Sequence, residues 1–267
     1  MGLIISILCG CGADKENKQE SLGDLPTVTV GYDNYSPFSF MDANGNMTGI
    51  DVELAREAFS RMGYAPEFVF INWEDKKNLL VKGSIDCIWS SFTMTDREDE
   101  YHWAGPYMRS HQVVAVNEDS DIQTLEDLEG KVMAVQSTTK PEDIIRSHDG
   151  TLPELRKVIS VQKRDLIFIL LSKGYVDALA AHDTSVDQFM EDSGLKFRIL
   201  EEPLQTVDLG VAFDKADTRG LNISADRYIK RNAEGWDGIT RQSCTVSDYL
   251  LRNIFHVKCS HLQCGVI

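Results

Sequence analysis

A stretch of eight residues recurs in this chain 91 positions later with five of its residues unchanged. Leu79-Leu80-Val81-Lys82-Gly83-Ser84-Ile85-Asp86 is matched by Leu170-Leu171-Ser172-Lys173-Gly174-Tyr175-Val176-Asp177. In both copies a helical run ends at glycine, which accepts the left-handed turn that closes a helix, and a strand begins at once. Any α/β unit can reuse such a joint, so the order of elements around it is the stronger signal. Ahead of the first copy, 27–32 (TVTVGY) reads as a strand. Asp51 is expected to cap a helix that sets Val52, Ala55, Phe59 and Met62 on one face and stops at Gly63. A strand at 67–70, a helix at 76–82 and a strand at 85–89 complete the series. The second copy sits in the same order: strand 131–135, helix 142–147, strand 156–160, helix 164–173, strand 176–180. This alternation calls for a parallel sheet covered on both faces, and its repetition predicts two similar α/β lobes.

At 267 residues the chain is long for one core and comfortable for two lobes. Its 27 basic and 42 acidic residues, net −15, leave no basic footprint for nucleic acid. No apolar run nears the roughly 18 residues that span a bilayer. The six cysteines (Cys9, Cys11, Cys87, Cys244, Cys259 and Cys264) include no pair spaced by two residues. Zinc-ribbon and redox spacings are therefore missing, and neither metal nor cofactor is expected. The first eleven residues, MGLIISILCGC, form a short apolar stretch with Leu8 three positions before Cys11 and the small Gly10 directly before it. That pattern resembles a bacterial lipobox, which would make Cys11 the lipidated, mature N-terminus. A cytosolic chain with a greasy start is the alternative. Residues 12–23 (GADKENKQESLG) read as a polar tether, which favours the lipoprotein.

In open parallel sheets, ligands bind beyond the carboxyl ends of the strands. Asp33 and Tyr35 follow the first strand; Ser90, Ser91 and Thr93 follow the third, with Arg97 close behind. In the second half Gln136, Ser137, Thr138 and Thr139 follow one strand, and His182, Asp183 and Thr184 follow another. Two facing lobes would thus line a cleft with hydroxyls, an arginine, aromatics and two carboxylates. An α-amino acid is a zwitterion and needs such a mixture. Arginine offers a planar fork to its carboxylate, and an aspartate with hydroxyls meets its ammonium. Each residue also has a plainer reading. Arg97 lies in a solvated charge run, Asp183 can cap a helix beginning near Ser185, Trp73 and Tyr35 can be core aromatics, and His182 reads as a structural neighbour.

With those residues in view, the chain resembles the type 3 extracellular solute-binding proteins, which feed amino acids to ABC importers. The resemblance runs from about Val28 to Leu221. It rests on Tyr35-Ser36-Pro37-Phe38-Ser39-Phe40, Gly45, Gly49-Ile50-Asp51-Val52, Ile85-Asp86 through Thr95, Gly130-Lys131-Val132, Val135-Gln136 and Val176-Asp177-Ala178. It implies a two-lobed periplasmic-binding fold. Residues 25–110 and 209–238 would form lobe 1, residues 111–208 lobe 2, and crossings near Ser110 and Asp208 the hinge. By the same resemblance Asp33 and Tyr35 contact the ligand side chain and Trp73 forms an aromatic wall. Ser91 and Thr93 hold the ammonium and carboxylate, and Asp183 pairs with the ammonium. Arg97 resembles the arginine that grips the carboxylate but falls one residue early. Thr138 stands where glycine is common, and Lys140 where a hydroxyl is common. Ser90, Gln136 and Thr139 complete the expected site.

The expectation is a monomeric, extracytoplasmic receptor for a polar or basic amino acid, working with the permease and ATPase of an importer. Asp33, with about 0.5–2 kcal/mol of cation–π attraction from Trp73 and Tyr35, argues for a positive or donating far end and against glutamate and aspartate. No catalytic residue is assigned. Dehydratase-like enzymes and sensor domains of the same fold are the rival class. The segment 239–267 stands apart: it holds three of the six cysteines and one acidic residue, Asp248, and is net +2. The family usually ends with a helix resembling Lys-Glu-Met-Gln-Lys-Asp-Gly-Thr, and residues 230–238 (KRNAEGWDG) read one nucleotide later can encode that string. A frameshifted tail is therefore expected, with a divergent natural tail as the alternative.

Overall fold

The computed structural model describes residues 25–240. The expectations for Cys11, the tether and the tail beyond residue 240 lie outside the described residues. In the first lobe, strand β1 (Thr27–Tyr32) lies between the parallel strands β4 (Ala65–Phe70) and β5 (Cys87–Ile88), with Thr27 opposite Ala65 and Val30 opposite Cys87. A two-stranded hairpin, β2 (Phe40–Met41) and β3 (Met47–Thr48), precedes helix α1 (Ile50–Arg61). Ile50, Leu54, Ala55, Ala58 and Phe59 form the buried stripe of α1 and pack with Val28 and Val30 of β1.

Asp51 does not cap that helix. Gly49 stands at the N-cap with φ 125°, and a Cβ there would lie 2.3 Å from the Phe38 carbonyl oxygen, so only glycine fits. The N–H groups of Ile50 and Asp51 donate instead to the carbonyls of Pro37 and Phe38, at 3.0 and 2.9 Å. The Asp51 side chain is freed for another use, described below.

The second lobe repeats the plan. Strand β7 (Val132–Gln136) lies between parallel β8 (Lys157–Val161) and β9 (Ala178–His182). Its even-numbered Val132 and Ala134 face helices α4 (Asp165–Ser172) and α5 (Asp183–Ser193), and Met133 and Val135 face α3 (Lys140–Ser147). Period-two burial on both faces is the mark of a covered parallel sheet, as the sequence led us to expect.

The eight-residue repeat is structural down to its hydrogen bonds. Gly83 (φ 68°) and Gly174 (φ 70°) follow α2 (Lys76–Val81) and α4. Their N–H groups reach Leu80 and Leu171, and the next N–H, of Ser84 or Tyr175, reaches Leu79 or Leu170 at 2.9 Å. That is the Schellman pattern of helix closure, twice. Asp86 Oδ2 then accepts from Thr29 N–H at 2.7 Å, and Asp177 Oδ2 accepts from Val132 N–H at 2.7 Å. Each carboxylate clips its own strand to the first residues of the parallel neighbour.

The lobes share two long antiparallel strands that the alternating pattern did not reveal. Strand β6 (His102–Asn117) pairs with β11 (Gln205–Phe213) along its first part, then with β9 and with β10 (Phe197–Ile199). One mixed sheet results, in the order β4-β1-β5-β11-β6-β9-β7-β8. Within each lobe the core strands are parallel, and the connection between lobes is antiparallel. Ser110 pairs with Val207 and Arg109 with Asp208, and the Arg109 Nε donates to Asp208 Oδ1 at 3.2 Å. Helix α6 (Leu221–Thr240) returns to the first lobe, where Leu221, Ala225 and Ile229 join the α1 core.

Candidate functional site

The carboxyl ends of all the parallel strands converge between the lobes, so each delivers whatever side chain its next residue carries. The cleft they form is lined by Trp73, Ser91, Phe92, Thr93, Arg97, Gln112, Gln136, Thr139, Lys140, Pro141, Arg164, Ile167, Ala180, Ala181 and His182, and it encloses about 20 Å³. That volume is room for roughly one water molecule, so the lobes are closely shut.

Of the residues expected from sequence, Trp73, Ser91, Thr93, Arg97, Gln136 and Thr139 come together in this lining. Asp33 and Tyr35 stand directly behind it, both buried. Asp33 Oδ2 accepts from Gln136 Nε2 at 2.7 Å, and the Tyr35 hydroxyl accepts from the His182 N–H at 3.2 Å. Ser90 is a support. Its hydroxyl donates to the Asp33 carbonyl at 3.2 Å and accepts from the Asp33 N–H at 3.1 Å. Thr138 adopts φ 56°, a left-handed conformation costly for a β-branched residue, at the position where the resemblance expects glycine.

Asp183 is not brought into the lining. It opens α5, and its carboxylate turns to strand β6, accepting from Ser110 Oγ at 3.1 Å, pairing with His111 Nδ1 at 2.9 Å and capping Thr184 N–H at 2.7 Å. Burial pushes this carboxyl up, but the bonds from His111, Thr184 and Ser110 together outweigh it and hold it below the usual range. The physical reason is register: β9 runs on through His182, paired with Gln112, so the helix starts at Asp183. His182 lines the cleft in its place. Burial, then the nearby Arg164, lower its pKa to about 3, so it is neutral. Its Nε2 accepts from Gln112 Nε2 at 2.9 Å, which leaves Nδ1–H to donate to Ser110 Oγ at 2.9 Å.

Three cations line the cleft and a fourth, Lys76, lies behind it, and sequence reasoning weighed only Arg97 as a binding group. Arg97 pairs with Asp143 of α3, and Lys140 Nζ with Asp96 Oδ2 at 2.6 Å, each pair crossing between lobes. Asp96 takes φ 61°, and this left-handed turn precedes Arg97, which enters the cleft although it falls one residue early. Arg164 lies with its guanidinium carbon 3.3 Å from the Tyr35 ring centroid and Nη2 3.5 Å from Asp33 Oδ2. Lys76 is buried behind Trp73, its ammonium 4.9 Å from that ring, and donates to the Trp73 carbonyl and to Thr138 O and Oγ1, at 3.2, 3.0 and 2.9 Å. Desolvation, then the Arg97 charge, lower its pKa to about 7. Arg164 follows the same strand-end rule, one turn after β8, but was read only as the first residue of a helix. Gln112 lies on a strand that was not read at all. A buried lysine such as Lys76 has no sequence signal.

Asp51 serves the site from below. Fully buried, it accepts the Ser91 N–H on Oδ2 at 2.5 Å, which fixes Ser91 in a left-handed turn of φ 49°. Burial raises its carboxyl to about 7. Among the described residues, nine buried side-chain polar atoms have no hydrogen-bond partner. Five belong to the cleft lining: Ser91 Oγ, Gln112 Oε1, Gln136 Oε1, Trp73 Nε1 and Arg164 Nε. Native interiors leave few such atoms, so their concentration here marks a place built to meet polar groups from outside the chain. Among the described residues no group of three or more histidine, cysteine or acidic side chains is placed to hold a metal ion, and no helix is long and apolar enough to cross a membrane.

Comparison with known proteins agrees with this geometry. The model of the bacterial extracellular solute-binding proteins, family 3, matches residues 28–218. The L-cystine-binding protein TcyA of Bacillus subtilis (strain 168) is 29% identical over 199 residues, 70% of this chain and 72% of that protein. The histidine-binding periplasmic protein of Escherichia coli (strain K12) is 25% identical over 218 residues, 78% of this chain and 83% of that protein. Among solved structures, the arginine-bound form of truncated ArgBP from T. maritima superposes with a TM-score of 0.69 at 30% identity, covering 78% of this chain and 96% of that one.

Proposed function

Because the chain belongs to the bacterial extracellular solute-binding proteins, family 3, we propose that it is an extracytoplasmic receptor that binds an amino acid with a polar or basic side chain between its lobes and delivers it to an ABC importer. The observation that carries this reading is the set of unpartnered polar atoms in the cleft. Ser91 Oγ, Gln112 Oε1 and Gln136 Oε1 are acceptors suited to an ammonium, because both glutamines spend their amide hydrogens on protein groups and leave their carbonyls free. Arg97, beside Thr93 and Thr139, supplies the fork for a carboxylate. An amino acid cannot enter 20 Å³, so the lobes part to admit it and shut over it. The hinge of that motion is the paired crossing of β6 and β11.

On this reading the protein performs no chemistry on its ligand. Cys11 carries the lipid anchor, so that Cys11→Ser releases the protein from the membrane. The test is a thermal-shift screen of the twenty amino acids, followed by recovery of the ligand. One or a few polar or basic amino acids should raise the unfolding temperature and be recovered unchanged. If no amino acid does so, the receptor reading fails; if the ligand is consumed, the protein is an enzyme on this fold.

A further inference from the structure

Trp73 lines the cleft, and a second aromatic ring, Tyr35, and a carboxylate, Asp33, stand buried directly behind the lining. These are the groups that would recognise a positively charged side chain. Each is already engaged by a cation of the chain itself. The Arg164 guanidinium lies over Tyr35, its carbon 3.3 Å from the ring centroid and its Nη2 3.5 Å from Asp33 Oδ2. The same carboxylate oxygen also accepts from Gln136 Nε2. The Lys76 ammonium lies 4.9 Å from the Trp73 ring and 5.8 Å from that of Phe92. The charged side chains in the lining itself, Arg97, Lys140 and Arg164, are all cations. A basic ligand would therefore enter a site whose cation slot is full and whose lining holds no carboxylate to receive it.

We propose that Arg164 is a specificity-determining residue: it occupies the slot for a positively charged side chain, and so restricts the receptor to amino acids whose side chains accept hydrogen bonds and carry no positive charge. The inference rests on the receptor reading above and narrows it. An incoming amide, hydroxyl or carboxylate oxygen meets the unpartnered Arg164 Nε and Trp73 Nε1 as donors. A guanidinium or ammonium gains nothing from those donors, and the free acceptors of the cleft, Ser91 Oγ, Gln112 Oε1 and Gln136 Oε1, are taken on the receptor reading by the ligand's own ammonium. Arg164 is buried, and its charge is matched by Asp33, so the slot is filled by a stable pair rather than by a stray surface side chain. Removing the arginine leaves a guanidinium-shaped space between an aromatic face and a carboxylate.

The experiment uses the full chain, its Arg164→Ala variant and its Arg164→Gln variant, each titrated calorimetrically with the twenty amino acids and with methylguanidinium. For the wild type, arginine and lysine should bind at least tenfold more weakly than its best ligand. Arg164→Ala should gain at least tenfold in affinity for arginine, and methylguanidinium at millimolar concentration should raise its unfolding temperature but not that of the wild type. Arg164→Gln, which keeps a polar side chain in place should the alanine variant fail to fold, should also gain arginine affinity. Wild-type protein that binds arginine or lysine as tightly as any other amino acid overturns the proposal and leaves the receptor reading standing. A folded variant that gains neither arginine nor methylguanidinium binding also overturns it. Wild-type protein that binds no amino acid overturns the receptor reading, while methylguanidinium on the alanine variant still decides whether the slot exists.

Discussion

Asp51→Asn is the perturbation with the best defined consequence. The carboxyl is fully buried and its folded-state pKa is raised from 3.8 to about 7, chiefly by desolvation. The folded state therefore keeps a proton on Asp51 over a range in which the unfolded chain has lost it. Stability from this group is complete below about pH 4 and falls as pH rises toward 7, because there the native state binds more protons than the unfolded state. A difference of about three pKa units corresponds to about 4 kcal/mol at 1.36 kcal/mol per unit. Asparagine keeps an oxygen to accept the Ser91 N–H and has nothing to titrate. His182 titrates with the opposite sign: its pKa of about 3 means stability lost as pH falls below 6.5. That contribution is common to both proteins and cancels in their difference. The assay is thermal unfolding of wild type and variant from pH 4.5 to 7.5. At roughly 3 °C per kcal/mol for a domain of this size, the variant should gain on the wild type by about 10 °C across the range. A difference between the two melting temperatures that does not change with pH would refute the reasoning.

Lys76→Met should abolish a gain in stability that the wild type shows between about pH 7 and pH 10, since a lysine held near 7 when folded and 10.5 when unfolded favours folding as pH rises; equal slopes in denaturant titrations count against it. Asp86→Ala and Asp177→Ala should each cost about 1.5–3 kcal/mol, the worth of a charge-assisted bond to a strand N–H. The Asp86 variant should suffer more, because Arg219 also pairs with that carboxylate at 2.5 Å; urea unfolding that ranks them the other way contradicts the clip argument. Arg97→Lys keeps the charge but loses the fork, and should weaken ligand binding about tenfold or more by calorimetry; unchanged affinity removes Arg97 from the carboxylate end.

How far the sequence was legible depends on how local the cause was. Strand β1 spans the residues its β-branched run predicted, and α2 and α4 end where a glycine stops them. Strand β6 was missed because Gly105-Pro106 lies inside it and reads as punctuation, while its pairing with β11 is purely tertiary. Within the site, positions just past parallel strands were found because topology alone puts them in the cleft. Asp183 was misplaced by a difference of one residue in strand length. The expectation of a polar or basic ligand weighed Asp33 without Arg164, whose approach to it spans 131 residues of chain and leaves no local trace; the proposal above narrows that expectation to its polar part. On the same proposal these cations weaken the case against glutamate, which rested on Asp33 and the two aromatic rings.

The neighbouring crossings of β6 and β11 have a mechanical consequence. Two separate linkers would let the lobes swing, slide and rotate independently. Here the two connections are hydrogen-bonded to each other through Ser110–Val207 and Arg109–Asp208, so they behave as one ribbon. A ribbon is stiff against in-plane shear and stretch, and compliant in bending and twist. Its one irregularity, a register shift between Leu209 and Val211, lies beside Gly210, where a Cβ would come within 2.6 Å of Met94 Sδ. On the proposed opening and closing, the strands that carry the load would also set the path along which the jaws travel, so that residues on the facing walls would meet their counterparts in the same order each time.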